Sequence, residues 1–268
     1  MGGVVGVRFA KAGKIFNYDA GDEEFSSNDY IVVETDVGIE LGYVVITPSQ
    51  VVMTKFKGPL TPIVRRATPE DLQERDRLLG QAREMSNKCR ELVKELDLPM
   101  KTVEAVFTLD GLHLVISYTA DDRVDFRQLL RRLGRTVQAK VELRQIGPRD
   151  QTKVMDGLGR CGRTLCCSTW LVEFQPVTMK MAKEQDLPLS PPGLAGVCGR
   201  LRCCLRYEYD QYRELKRGLP KVGSTVQTGQ GPAVVVVGHP LKQTITVRLE
   251  NGTWVEVPMD ELQEKAPV

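Results

Sequence analysis

Residues 61–79 read TPIVRRATPEDLQERDRLL, and the fold class turns on them. TPIVRRA is a short strand-like run. Thr68 then offers a hydroxyl to cap a helix, Pro69 suits the first helical position, and Glu70 and Asp71 suit its positive end. Apolar residues recur at Leu72, Leu79, Ala82, Cys89, Leu92, Val93 and Leu96, close to helical spacing, until Pro99 marks the exit. Cys89 falls on that stripe; an interior thiol behaves as a small hydrophobe, so its expected role is structural. TVEAVFT, an Asp110-Gly111 turn and LHLVISY make a hairpin. A helix, RVDFRQLLRRLGR, and a strand, VQAKVELRQI, follow. From 60 to 147 the order is therefore β-α-β-β-α-β, the split arrangement of a ferredoxin-like core.

Outward from that core, residues 1–59 read as a small β-rich domain. Its strands are VVGVRF, KIFNY, DYIVVET and IELGYVVI, the last two joined at Asp36-Val37-Gly38. Residues 148–217 form a Cys-rich segment, divided by the turn-rich LPLSPPGLAG and ending in the helix-like YEYDQYRELKRG. Tyr207, Tyr209 and Tyr212 of that last run are expected to pack it against its domain. From 218 to 268 TVQT, PAVVVVG, TITVRL and TWVEV alternate with Gly-containing turns, Asn251-Gly252 being the strongest hairpin signal, which suits a small SH3-like β barrel. The expected class is α+β: an N-terminal β domain, a ferredoxin-like core, a Cys-rich metal-binding segment and a C-terminal barrel.

Composition narrows the function. A 268-residue chain with 41% hydrophobic and 27% charged residues is an ordinary globular protein. With 37 basic against 35 acidic residues its net charge is +2, too small for a protein that coats DNA. MGGVVGVRFAKAGK has no charged region followed by an apolar one, and Gly6 stands where a myristoylation signal needs Ser or Thr. No run of about 18 apolar residues predicts a membrane-spanning helix. The expectation is a cytoplasmic protein with no membrane insertion. Arg123, Arg127 and Arg131 recur at four-residue spacing, with Arg132 and Arg135 nearby, a stripe that reads as a solvated face or as a contact for phosphates or an acidic partner. His239, in the loop GHP, has no partner that the sequence identifies, and His113 is the other histidine, so no histidine-centred catalytic site emerges. Gly-rich phosphate loops, paired catalytic carboxylates and a Ser-His-Asp order do not stand out either. The reading is not an enzyme.

Six of the seven cysteines lie in CGRTLCC at 161–167 and CGRLRCC at 198–204. Both read C-G-R-x-x-C-C, with Cys161 matching Cys198, Cys166 matching Cys203 and Cys167 matching Cys204. Disulfides seldom persist in a reducing compartment, so the pattern points to metal or redox chemistry. Adjacent cysteines are also too close for an unstrained disulfide. Soft thiolates select zinc, copper(I) or iron–sulfur clusters. Structural zinc favours C-x₂-C loops, whereas a four-residue gap also occurs in iron–sulfur proteins; spacing leans toward the cluster and leaves zinc open. Gly162 and Gly199 let the backbone turn and bring amides toward sulfur, and Arg163, Arg200 and Arg202 offset thiolate charge. A redox enzyme would need an activated thiolate and a resolving partner; thioredoxin-type C-x-x-C is absent, and duplication suits ligation better.

The segment CGRTLCCSTWLVEFQPVTMKMAKEQDLPLSP with GLAGVCGRLRCCLRYEYDQY closely resembles the bacterial YaaT/RicT family, whose members carry the polymerase-suppressor C-terminal domain. VVGVRFAKAGKIFNYD and IVVETDVGIELGYVV resemble it too, so the likeness covers about residues 1–215. It implies a non-catalytic subunit acting with two small helical partners, YlbF-like and YmcA-like proteins. It further implies a [4Fe–4S] cluster, an influence on messenger-RNA processing by ribonuclease Y, and a link to sporulation, competence and biofilm development. The family's cysteines match at Cys161, Cys166, Cys167, Cys198 and Cys203, with Cys204 continuing the pattern, and some cluster ligands are expected to come from the partners. The other reading is an RNA- or DNA-binding protein with a structural zinc site.

Overall fold

The computed structural model describes residues 3–262 apart from 12 and 51–59. The chain divides into two compact units, Met1–Glu173 and Phe174–Val268. The expected domain boundary at 59/60 falls against residues outside the described ones.

The first unit opens with an antiparallel sheet of β1 (Val4–Arg8), β2 (Phe16–Asp19), β3 (Tyr30–Thr35), β4 (Gly38–Ile46) and β5 (Ile63–Arg66), in the order β2-β1-β4-β3-β5. Alternating branched residues bury Val5, Val7, Ile31, Val33 and Val44 in one cluster. The hairpin expected at residues 36–38 forms: Thr35 pairs with Gly38, whose φ of +136° favours glycine.

Here the ferredoxin-like expectation needs correction. The chain order β5-α-β-β-α-β is present, but β5 joins the N-terminal sheet beside β3. A ferredoxin-like first strand lies between two neighbours and needs a well-buried apolar face. β5 is IVRR, with Val64 55% exposed and Arg65 and Arg66 exposed. Arg65 pairs with Asp71 and Arg66 with Asp29, and the chain entering β5 is bridged at Pro62 to Asp19 of β2. The remaining strands, β6 (Lys101–Phe107), β7 (His113–Thr119) and β8 (Lys140–Gln145), form a separate sheet in the order β6-β7-β8. β7 pairs directly and in parallel with β8, so no place is left between them for a further strand.

Helix α1 (Pro69–Glu95) starts as its sequence dictates. The Thr68 hydroxyl accepts from the Asp71 N–H at 3.4 Å, while the Asp71 carboxylate accepts from the Thr68 N–H at 2.8 Å, a reciprocal capping box. Its buried stripe runs through Leu78, Ala82, Met85, Cys89 and Leu92. Leu79, expected on that stripe, is 47% exposed, because one residue along a helix turns the side chain by about 100°. Cys89 is fully buried and accepts a hydrogen bond from the Thr102 hydroxyl at 3.4 Å, and burial pushes its thiol pKa up, in line with the structural role. α2 is Arg127–Thr136, shorter than RVDFRQLLRRLGR suggests. The Asp125 carboxylate takes the Arg127 N–H at 3.2 Å before the helical ladder begins. Arg123 therefore lies outside the helix, and only Arg127 and Arg131 of the expected stripe share it. Leu129 and Leu133 of α2 pack with Leu114 and Ile116 of β7, all four fully buried.

α3 (Pro148–Met155) and α4 (Cys166–Thr169) complete the first unit. The second contains α5 (Met179–Glu184), α6 (Pro191–Leu194), α7 (Cys204–Arg217) and the strands β9 (Thr225–Thr228), β10 (Gly231–His239), β11 (Thr244–Leu249) and β12 (Trp254–Pro258). The SH3-like barrel is replaced by an antiparallel meander in the order β12-β11-β10-β9. Neighbours along the chain pair through tight turns, and among the described residues β9 and β12 do not pair. Asn251-Gly252 makes its turn with Gly252 at φ +84°. His239 has a partner after all, with Nε2 2.9 Å from the Thr246 hydroxyl on the paired strand. Tyr207 is 63% exposed rather than packed inward. No described helix is long and apolar enough to cross a membrane.

Candidate metal centre

The two cysteine motifs fall in different compact units, the first in Met1–Glu173 and the second in Phe174–Val268, so the expected segment 148–217 is not one body. Locally they are the same structure. An antiparallel bridge pairs Leu158 with Thr164 in the first loop and Ala195 with Leu201 in the second. The Gly159 N–H donates to the Arg163 carbonyl at 2.8 Å, and Gly196 to Arg200 at 2.8 Å. The Gly162 N–H reaches the Gly159 carbonyl at 3.0 Å, and Gly199 reaches Gly196 at 3.0 Å. Leu165 N–H to Gly157 (3.1 Å) matches Arg202 N–H to Leu194 (3.0 Å). Each loop then passes into a helical turn, with Trp170 N–H on Cys166 and Tyr207 N–H on Cys203, both at 3.1 Å.

The glycine of C-G-R is what closes the loop. Gly162 and Gly199 both sit at φ +76°, in the left-handed region where a Cβ is strained although no atom stands in its way. Gly159 and Gly196 border the first thiol of each loop: a Cβ there would lie 3.4 Å from Cys161 Sγ and 3.8 Å from Cys198 Sγ, in ordinary contact. Cys161 is exposed, Cys166, Cys198, Cys203 and Cys204 are half-buried, and Cys167 is buried. Arg163 and Arg200 are exposed.

Among the described residues no three His, Cys, Asp or Glu side chains converge on a metal position. The donor chemistry nonetheless fits a thiophilic, anionic centre. In the second loop Arg202 Nε is buried and meets no acceptor. Its Cγ and Cys198 Sγ both lie 3.8 Å from the point where a Gly196 Cβ would stand, so the two side chains border the same part of the loop. A buried guanidinium nitrogen without an acceptor calls for negative charge nearby, which metal-bound thiolates provide.

The loops are anchored differently. Leu205 is buried with Ala182 and Leu194, and the Gln185 amide donates to its carbonyl at 2.7 Å. The matching Ser168 instead donates its hydroxyl to Asp156 Oδ1 at 2.5 Å, which locks the end of α3 to the first loop. Asp156 also takes the Gly157 N–H at 2.9 Å and Lys11 Nζ at 3.2 Å. Led by the Ser168 bond, these donors hold its pKa at about 2. A carboxyl held low favours folding above the ordinary carboxylate range and loses that contribution as pH falls toward 2. Ser168→Ala is expected to raise the Asp156 midpoint, read by carboxyl-carbon NMR titration; an unmoved midpoint would leave Ser168 without this part.

The expected nucleic-acid or partner contacts Arg123, Arg127 and Arg131 are all exposed; Arg127 is 2.5 Å from Asp125, and the nearby Arg132 is 2.8 Å from Glu95. The sequence reading missed the Ser168–Asp156 lock. The only signal for it was a serine where the second repeat has leucine.

A family model described as the PSP1 C-terminal conserved region matches residues 61–146. Another, described as PSP1-like protein, third domain, matches residues 176–219. Stage 0 sporulation protein YaaT of Bacillus subtilis (strain 168) is 42% identical over 269 residues, covering 100% of this chain and 98% of that protein. No solved structure matches the chain.

Proposed function

The chain belongs to the YaaT/PSP1 family, and on that premise we propose that it is a non-catalytic regulatory adaptor whose two C-G-R-x-x-C-C loops hold a [4Fe–4S] cluster. The observation that carries this reading is the duplication itself. Two loops with matching hydrogen bonds and the same left-handed glycine each present three thiols, and one has a buried guanidinium nitrogen lacking an acceptor. Cys161, Cys166 and Cys167 would bind from one loop and Cys198, Cys203 and Cys204 from the other. Donors from YlbF-like and YmcA-like partners would complete the set. When bound, such a cluster supplies a centre sensitive to redox and iron status. This chain's part is to fix the sulfurs in two loops of one shape, with Arg202 supplying positive charge in the second. The relative's name concerns stage 0 of sporulation, and the same developmental role is proposed here, exercised in the cytoplasm through ribonuclease Y-dependent messenger-RNA processing.

The experiment is iron, zinc and acid-labile sulfide content of protein purified without oxygen, alone and with YlbF-like and YmcA-like partners. Iron and sulfide in near-equal amounts support the proposal. Stoichiometric zinc without sulfide would overturn the cluster and bring forward an RNA- or DNA-binding protein with structural zinc. That second reading would use the exposed Arg123, Arg127 and Arg131, of which Arg127 already faces Asp125.

A further inference from the structure

The two cysteine loops share a shape but not a support. The first is tied down by side chains: Ser168 donates to Asp156 at 2.5 Å, and Lys11 Nζ lies 3.2 Å from the same carboxylate. The second sits among α5, α6 and α7, where the buried apolar cluster is Ala182, Leu194 and Leu205, with partly buried side chains around it. Three buried members are few. The cluster under α1 and α2 has eleven, and that of the meander has six. The meander meets these helices toward the end of α7, where the Gln243 amide reaches the Leu215 carbonyl at 3.4 Å. Residues 176–219 therefore have little packing of their own with which to hold three helices. Domains below about 70 residues usually add a disulfide, a metal or a partner.

Charge deepens the shortage at one place. The positive end of α7 has no side-chain cap and no acidic residue in its first turn, whereas α1 begins with a capping box, Glu70 and Asp71. Arg206 lies in that first turn and is answered by Asp210 at 2.8 Å. Arg202 lies two residues before α7, and its Nε is buried without an acceptor. The first loop has the buried, uncharged Leu165 at the matching place, and its turn α4 spans only Cys166–Thr169. Cys203 and Cys204 stand at the start of α7. Three thiolates around a divalent ion leave a net negative site, which is what that helix end lacks.

We propose that metal binding at Cys198, Cys203 and Cys204 folds residues 176–219, while the first loop is formed before metal arrives. Metal-held thiolates neutralise the start of α7 and close a segment too thinly packed to close itself. The inference rests on the reading of the loops as a thiophilic centre. It makes the α5–α7 segment the part of the chain that reports metal status. Its helices, with Tyr207 63% exposed on α7, are in place only when the site is filled.

The test is amide hydrogen exchange, read by mass spectrometry on the full chain purified without oxygen. It is run before stripping with a chelator, after stripping, and after zinc ion is added back, with metal content measured on each sample. Stripping is expected to speed exchange about tenfold or more in Met179–Glu184 and Cys204–Arg217, and zinc to reverse it. Pro69–Glu95, Cys166–Thr169 and Thr244–Leu249 should stay within about twofold. Arg202→Leu, which removes the uncompensated charge, should slow exchange of Cys204–Arg217 in the stripped protein. Equal loosening of both loops, or no change once metal is gone, would overturn the proposal and leave the centre standing. So would exchange in the stripped variant as fast as in its stripped parent. A protein that holds no metal and does not respond to zinc would overturn the centre and this inference together.

Discussion

Ile116→Ala is expected to destabilise the first unit by about 3 kcal/mol, inside the roughly 2–5 kcal/mol range for Ile→Ala in a close-packed core. Ile116 has 0% exposure and sits with Leu114, Leu129 and Leu133, so few neighbours can relax into the space. Ile245, also 0% exposed, belongs to a different cluster with Ala233, Val235 and Val247. Ile245→Ala should therefore cost a similar amount through another set of residues. Denaturant titration gives the size of each loss, and hydrogen exchange gives its place. Faster exchange should appear in His113–Thr119 for the first variant and in Thr244–Leu249 for the second. Losses below about 1 kcal/mol would mean that these cavities collapse and that the packing described is looser than it looks.

Why some elements were legible and others were not follows from how far their causes reach along the chain. α1 could be read from Thr68 to Asp71 because a capping box is closed by residues three apart. The turns at Asp110-Gly111 and Asn251-Gly252 were legible because Gly111 and Gly252 need positive φ. IVRR at β5 looks like a strand from either side, and only its exposed arginines decide which sheet it joins. The start of α2 moved because one carboxylate, Asp125, takes the Arg127 N–H. α3 went unread at the start of the Cys-rich segment, although Gly147-Pro148 is a sound beginning for a helix. The site divides in the same way. The repetition of C-G-R-x-x-C-C foretold a repeated loop, since Gly162 and Gly199 force the same turn. Nothing local announced that Arg202 Nε would lack an acceptor, because that depends on side chains from other elements.

Gly162→Val and Gly199→Val should each cut the metal retained under chelator challenge by about tenfold or more, the scale seen when residues around metal ligands are changed. A branched residue at φ +76° is strained by roughly 1–2 kcal/mol even in open space, so the loop relaxes and moves Cys161 or Cys198 away from its partners. The two losses should be alike, because the hydrogen bonds closing the loops match within 0.1 Å. Gly223→Val is the control. Its φ of +85° carries comparable strain in a turn without cysteines, so it should cost stability and leave metal content unchanged. Iron retained against a chelator, measured on protein purified without oxygen, reads all three. A loss at Gly199 alone would confine the centre to the second loop, where Arg202 stands, and leave the first as a brace held by Ser168 and Asp156. Equal losses in all three variants would trace the effect to general unfolding and remove the loops' claim to the metal.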